Sequence, residues 1–249
     1  MPRRLLVLLP IVVAVAASCG GGGSSESSAR SATTGTSALP TPAPETGRAL
    51  SQFVDAAGAA DGATMWSLLS RRSQGQLGPT QKDFTRKHVA KFQQGLGSFA
   101  GTPYRVVLAV ETASGWGVAT VAGDRVRQGK QEFATYAAAL RREGGAWKLE
   151  LGDPVEVIQV KPGTGSIHDD QPEIGIEVKA EAPIDEAGLW LDGKPLPATA
   201  TGKDGRDVQV SGQPEAALEP GRHVVIVFGR SGDVATAGSV PFTLEPNAA

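Results

Sequence analysis

Ile174-Gly175-Ile176-Glu177-Val178-Lys179 decides how the C-terminal part of this chain is read. Apolar residues alternate strictly with small or charged ones, the period of a strand with one dry and one wet face. Leu189-Trp190-Leu191 then runs into Asp192-Gly193, a dipeptide that tolerates the positive φ angles of a two-residue hairpin turn. Working outward, Asp153-Pro154 breaks the preceding element and Val155–Val160 reads as a strand. Val208 and Val210 alternate again, Pro220-Gly221 turns into His223–Phe228, and Val240–Leu244 closes the region. Many short strands bounded by turn residues predict an all-β sandwich over residues 153–246.

Two strings sharpen that expectation. Leu189-Trp190-Leu191-Asp192-Gly193-Lys194 and Leu218-Glu219-Pro220-Gly221-Arg222-His223-Val224-Val225-Ile226-Val227 resemble the hairpin and strand entry of bacterial immunoglobulin-like domains. The resemblance implies an immunoglobulin-like sandwich without a disulfide, and it makes His223 a residue that packs or braces a turn. Asp169-Asp170 and the Asp204/Asp207 pair do not have the spacing of an EF-hand loop and read as solvated loops.

Upstream, residues 48–152 change rhythm halfway. Leu50, Phe53, Val54 and Ala57 fall on one helical face, and Asp61-Gly62 ends it. Trp66 and Leu69 continue a short second helix. Gly78-Pro79 stops the chain and Thr80 restarts it, with Asp83 three residues on as in a capping box. Phe84, His88, Phe92 and Leu96 then recur every four residues, one stripe of a helix. Beyond Pro103 the pattern is β: Tyr104–Thr112, Trp116–Val121, Gln131–Arg142 with alanines that also suit a helix, a Gly144-Gly145 turn, and alternating Trp147, Leu149 and Leu151. Helices followed by an antiparallel meander, together with the string Phe53-Val54-Asp55-Ala56-Ala57-Gly58-Ala59-Ala60-Asp61, resemble the NTF2-like domains, an α+β cone rolled around a pocket. That resemblance implies either an enzyme, using an acid or histidine inside the cone, or a plain scaffold.

Trp66, His88, Tyr104 and Trp116 are the candidate pocket lining, aromatic walls with one polar tip suiting a small hydrophobic ligand. His88 interrupts an apolar stripe and is the best candidate for chemistry; the plainer reading, which the residues favour, is a core-edge histidine. No second titratable group stands at a partner spacing for acid–base work. Gly95-Leu96-Gly97-Ser98-Phe99-Ala100 spells a dinucleotide fingerprint but follows a helix, whereas that motif must follow a strand. No P-loop, zinc-protease or nucleophile-elbow motif is found, so no catalytic residue, cofactor or metal is assigned.

The N-terminus carries an address. Met1-Pro2-Arg3-Arg4 precedes an apolar stretch, Leu5–Ala17, too short to span a bilayer comfortably. Ala16-Ala17-Ser18-Cys19 resembles the lipobox of bacterial lipoproteins, with Ala16 where Leu is commoner. The resemblance implies a signal peptide over 1–18, a diacylglyceryl thioether on Cys19 and a place on the extracytoplasmic face of the cell membrane. Residues 19–47, rich in Gly, Ser, Thr and Pro, read as a disordered, lipidated tether.

Charge separates the two folded regions. Residues 48–152 carry 14 Lys and Arg against 8 Asp and Glu, whereas residues 153–249 carry 7 against 16. The total of −2 excludes a generic nucleic-acid binder. Arg71, Arg72, Lys82, Arg86, Lys87 and Lys91 cluster on the helical segments as a candidate face for an anionic partner: lipid headgroups, wall polymers, or an acidic protein surface. A single cysteine excludes an internal disulfide and multi-cysteine metal sites. The expectation is a lipid-anchored envelope lipoprotein acting as a non-catalytic binding or adaptor module; the alternative is a carrier, or an enzyme, using the cone pocket.

Overall fold

The computed structural model describes residues 40–99, 102–127, 129–151 and 155–246. Cys19, the signal peptide and the tether up to residue 39 lie outside them. Order begins earlier than the composition predicts. β1 (Thr41–Pro42) pairs with the end of the next strand, and α1 (Pro44–Gly58) opens on a proline, whose missing N–H costs a helix nothing in its first turn. The linker bound expected at Gly47 is corrected: Pro40-Thr41-Pro42-Ala43-Pro44 is an edge strand and a helix start.

The cap expected at Thr80 forms, and two further caps, at Asp61 and Ser70, accompany it. Asp61 heads α2 (Gly62–Leu68), its carboxylate accepting from the N–H groups of Ala63 and Thr64. Buried Ser70 caps α3 (Arg71–Leu77), and Thr80 caps α4 (Gln81–Phe84), whose Asp83 accepts the Thr80 hydroxyl at 2.8 Å. A wider π turn, Thr85–Val89, joins α4 to α5 (Ala90–Leu96). Four-residue spacing drifts by about 40° per step around an ideal α-helix, and the wider turn offsets that drift. Phe84 and Leu96 are buried, with Phe92 packed beside them.

β2 (Tyr104–Glu111), β3 (Gly117–Arg127), β4 (Lys130–Glu143) and β5 (Ala146–Glu150) complete an antiparallel sheet in the order β1-β2-β3-β4-β5. The helices cover one face. Leu50, Phe53, Met65, Leu69, Phe84, Phe99, Leu140 and Leu149 meet there with almost no solvent exposure.

The second half is a β-sandwich. Its strands are β6 (Val155–Lys161), β7 (Ser166–Ile167), β8 (Ile174–Ala180), β9 (Glu186–Leu191), β10 (Lys194–Pro195), β11 (Ala198–Lys203), β12 (Asp207–Gly212), β13 (Gly221–Ser231) and β14 (Val234–Leu244). They form two sheets, β10-β9-β13-β14-β7 and β11-β12-β8-β6. Ile174, Ile176 and Val178 point inward with Leu189, Leu191, Val208, Val210, Val225, Val227 and Phe242. Asp192 (φ 52°) and Gly193 (φ 81°) make the expected hairpin turn.

The two halves are not beads on a string. β13 is buried on both faces: Val225 and Val227 fill the sandwich, whereas Val224, Ile226 and Phe228 face away from it. These three, with Trp190 and Ala235, pack against Leu108, Trp116, Val118, Ala122 and Ala139 on the face of the first sheet that the helices leave bare. Polar contacts rim the seam. Arg222 reaches Asp124 at 2.6 Å, and Glu186 accepts from the hydroxyls of Thr112 and Ser114. Gly193 lies so close to the Val107 carbonyl that a Cβ there would come within 2.3 Å of it.

Candidate functional site

The four aromatic candidates do not line one pocket. Trp66 and His88 flank Phe84, with ring centroids 5.4 and 5.9 Å away, and Phe92 adds to the same aromatic group. His88 stands in the π turn, half-buried, and its Nδ1 has no hydrogen-bond partner. Burial holds its ring below the ordinary histidine value, Lys91 and Lys87 push the same way, and the Leu77 carbonyl opposes them. Tyr104 instead ties β2 to α1, its hydroxyl donating to Asp55 at 2.7 Å. Trp116 is on the other side of the sheet, in the seam with the sandwich and under the Arg141 guanidinium at 5.2 Å. The expectation of one shared lining is corrected: the sheet separates Trp116 from Trp66 and Tyr104, and phenylalanines and leucines pack between the helices and the sheet.

The basic residues divide into tied and free. Arg72 pairs with Glu150 at 2.8 Å, and Arg86 with Asp83 at 2.7 Å. Arg71, Lys82, Lys87 and Lys91 are exposed, and no acidic side chain pairs with them among the described residues. Lys82 and Arg86 are four residues apart, as are Lys87 and Lys91. Like charges at that spacing repel by about 0.2–0.5 kcal/mol on a helix, so this face is cationic at a small cost in stability. The helices and the sandwich lie against opposite faces of the first sheet. The acidic half of the same molecule therefore does not cover these cations.

Beside this face is a hollow of about 490 Å³, lined by Ser67, Leu69, Arg71, Gln74, Glu143, Gly144 and Lys148. Sequence reasoning missed it, because it is assembled from α2, α3 and the β4–β5 turn. Most of its polar groups are committed. Lys148 donates to the Ser67 carbonyl at 2.6 Å, Gln74 to the Trp66 carbonyl at 2.7 Å, and the Glu143 carboxylate accepts the Arg71 backbone N–H. Among the described residues, no side-chain partner meets the Arg71 guanidinium at its rim.

In the sandwich, both ring nitrogens of His223 meet acceptors, the Asp192 carboxylate at 2.7 Å and the Glu219 carbonyl at 2.8 Å, and the ring stacks on Phe242. It braces the Asp192-Gly193 turn. Among the described residues no three His, Cys, Asp or Glu side chains are grouped to hold a metal ion, and no helix is long and apolar enough to cross a membrane.

No family model and no curated protein matches the chain. Among solved structures, it is similar to a chimeric titin Z1Z2-Z1Z2 tandem functionalized with a GRGDS peptide from fibronectin. The identity is 12%, the TM-score 0.23, and the match covers 53% of this chain and 65% of that one.

Proposed function

We propose that this protein is a lipid-anchored envelope lipoprotein that binds rather than catalyses, with an NTF2-like first domain used as a scaffold and an immunoglobulin-like second domain. Its exposed helical cations engage an anionic surface, lipid headgroups or wall polymer. The observation that carries this reading is where the molecule leaves room. Aromatic and aliphatic side chains pack together between helices and sheet, while Arg71, Lys82, Lys87 and Lys91 stand exposed with no acidic partner among the described residues. The Cys19 anchor, argued from the lipobox, would hold the folded part within reach of such a surface.

The test is cosedimentation of the chain carrying Cys19→Ser with phosphatidylglycerol-containing vesicles, phosphatidylcholine vesicles and a purified anionic wall polymer. Binding is expected to the anionic targets alone and to fall steeply with salt. Each basic residue near an anionic membrane contributes about 1 kcal/mol, so Lys87→Ala with Lys91→Ala should weaken vesicle binding ~30-fold. Preference for the polymer over the vesicles would assign the wall as the target. Absence of binding to either, or binding indifferent to salt, overturns the reading.

A further inference from the structure

Among the described residues, five of the six terminal strands of the three sheets are short, covered or irregular. β1 and β10 are two residues long and each contains a proline, which has no N–H to offer a neighbour. β7 is two residues long. The outer edge of β5 is met by Leu69 and Ser70, whose N–H donates to the Leu149 carbonyl at 2.9 Å. β6 is irregular between Val157 and Gln159, and a bulge of that kind twists an edge away from pairing. β11 has none of these devices. It is a six-residue edge strand, regular against β12 along its whole length, and Ala198–Gly202 contains no charged residue and no proline. Alternate residues of such a strand aim their N–H and C=O groups away from the sheet. No backbone bond from Ala198–Gly202 to anything but β12 occurs among the described residues.

The strand also complements itself. Its pairing with β12 places Thr199 and Thr201 on the outer face, opposite Ser211 and Gln209, and Ala200 on the core side, opposite Val210. Two copies joined antiparallel along this edge must keep outer face with outer face, since a one-residue slip turns every side chain over. That condition admits only registers centred on a residue. Centred on Ala200, Thr199 of one copy faces Thr201 of the other, twice, and Ala200 faces itself. The opposed pairs are β-branched or small, and no like charges meet in that stretch.

We infer that β11 is a self-association edge, through which two copies of this chain join their β11-β12-β8-β6 sheets into one continuous eight-stranded sheet. Each sandwich is acidic overall, so screening favours this association, and it strengthens as salt rises. The cationic helical face responds to salt in the opposite direction, which separates failure of one reading from failure of the other.

The experiment uses the full chain with Cys19→Ser, which is then free of thiols. Sedimentation over a wide concentration range should show a monomer–dimer equilibrium that shifts toward dimer with salt. Thr199→Lys should abolish the dimer while leaving the unfolding midpoint unchanged. Separate chains carrying Thr199→Cys and Thr201→Cys should form a disulfide-linked dimer under mild oxidant when mixed, at least tenfold faster than either does alone. A monomer at every concentration, or equal self-cross-linking by each cysteine variant, overturns the proposal.

Discussion

Glu150 shows how much one side chain decides. It ends β5 with its side chain fully buried, 2.8 Å from Arg72 on α3 and 3.9 Å from Arg141 on β4. Removing one partner of a buried ion pair strands the others. Glu150→Ala should therefore cost about 3 kcal/mol, at the low end of the usual range because both arginines keep some contact with water. Replacing Arg72 and Glu150 together by Met and Leu should recover most of the loss. Paired denaturant titrations check both, and a double variant no better than the single would assign the role to packing alone. Tyr104 and Tyr136, the two tyrosines of the chain, make a second test. Burial first, then the hydrogen bond to the Asp55 carboxylate, pushes the Tyr104 hydroxyl up to about 12, and burial alone raises Tyr136. An unfolded tyrosine titrates near 10. The unfolded chain thus loses these protons first as pH rises, so their contribution to stability is intact below about 10 and is lost as pH climbs through the Tyr104 value. Native protein near pH 10.5 should show little tyrosinate absorbance, and about three-quarters of the full absorbance on adding denaturant. Tyrosinate absorbance half-developed near pH 10 without denaturant would contradict it.

At the level of elements, β13 carries the largest difference between expectation and structure. The sequence predicts a strand over His223–Phe228 within the sandwich alone, yet Val224-Val225-Ile226-Val227-Phe228 is an unbroken apolar run, the mark of a strand buried on both faces. Ile226 has no solvent exposure. Ile226→Ala should destabilise the protein by about 2–5 kcal/mol, as for any filled core site, against a few tenths for an exposed outer face. Denaturation by urea decides between them. The alanines of β4 have a similar logic. Ala138 faces the helices and Ala139 the sandwich, so small side chains let three layers approach a single strand. The Thr80 cap, hairpin turns and the inner faces of β8 and β12 were legible because each depends on neighbours a few residues away. Trp116, placed in a pocket by its aromatic character, was not, because the face on which it lies depends on a partner element more than a hundred residues downstream. The hollow beside Arg71 was hidden for the same reason. The cationic cluster was legible as charge, but which members are tied down became visible only with Glu150 and its distance from Arg72.

The whole molecule behaves as the sum of those seams. The described residues form one compact unit, in which the first sheet is shared by the helices on one side and the sandwich on the other. Neither half buries its own surface completely. Cut between residues 152 and 154, the first half would expose Leu108, Trp116 and Val118, and the second Trp190, Ile226 and Phe228. Contiguous apolar patches of this kind drive association. Two domains with a polar linker would unfold separately, each at its own midpoint. Here the seam is apolar and pinned at its rim by Arg222–Asp124 and by Glu186, so opening it costs each half part of its core. The four tryptophans make this measurable. Trp66 and Trp147 report on the helical half, and Trp116 and Trp190 on the seam, Trp116 from the side of the first sheet and Trp190 from the side of the sandwich. Tryptophan fluorescence and far-ultraviolet dichroism should give coincident denaturation curves, the signature of a two-state transition. Phe228→Ala, a change confined to the seam, should lower the common midpoint without splitting it while the seam still holds. Two resolved transitions in the unmodified chain, one following the helices and one following Trp190, would mean that the halves fold as separate bodies and that the seam contributes nothing to either.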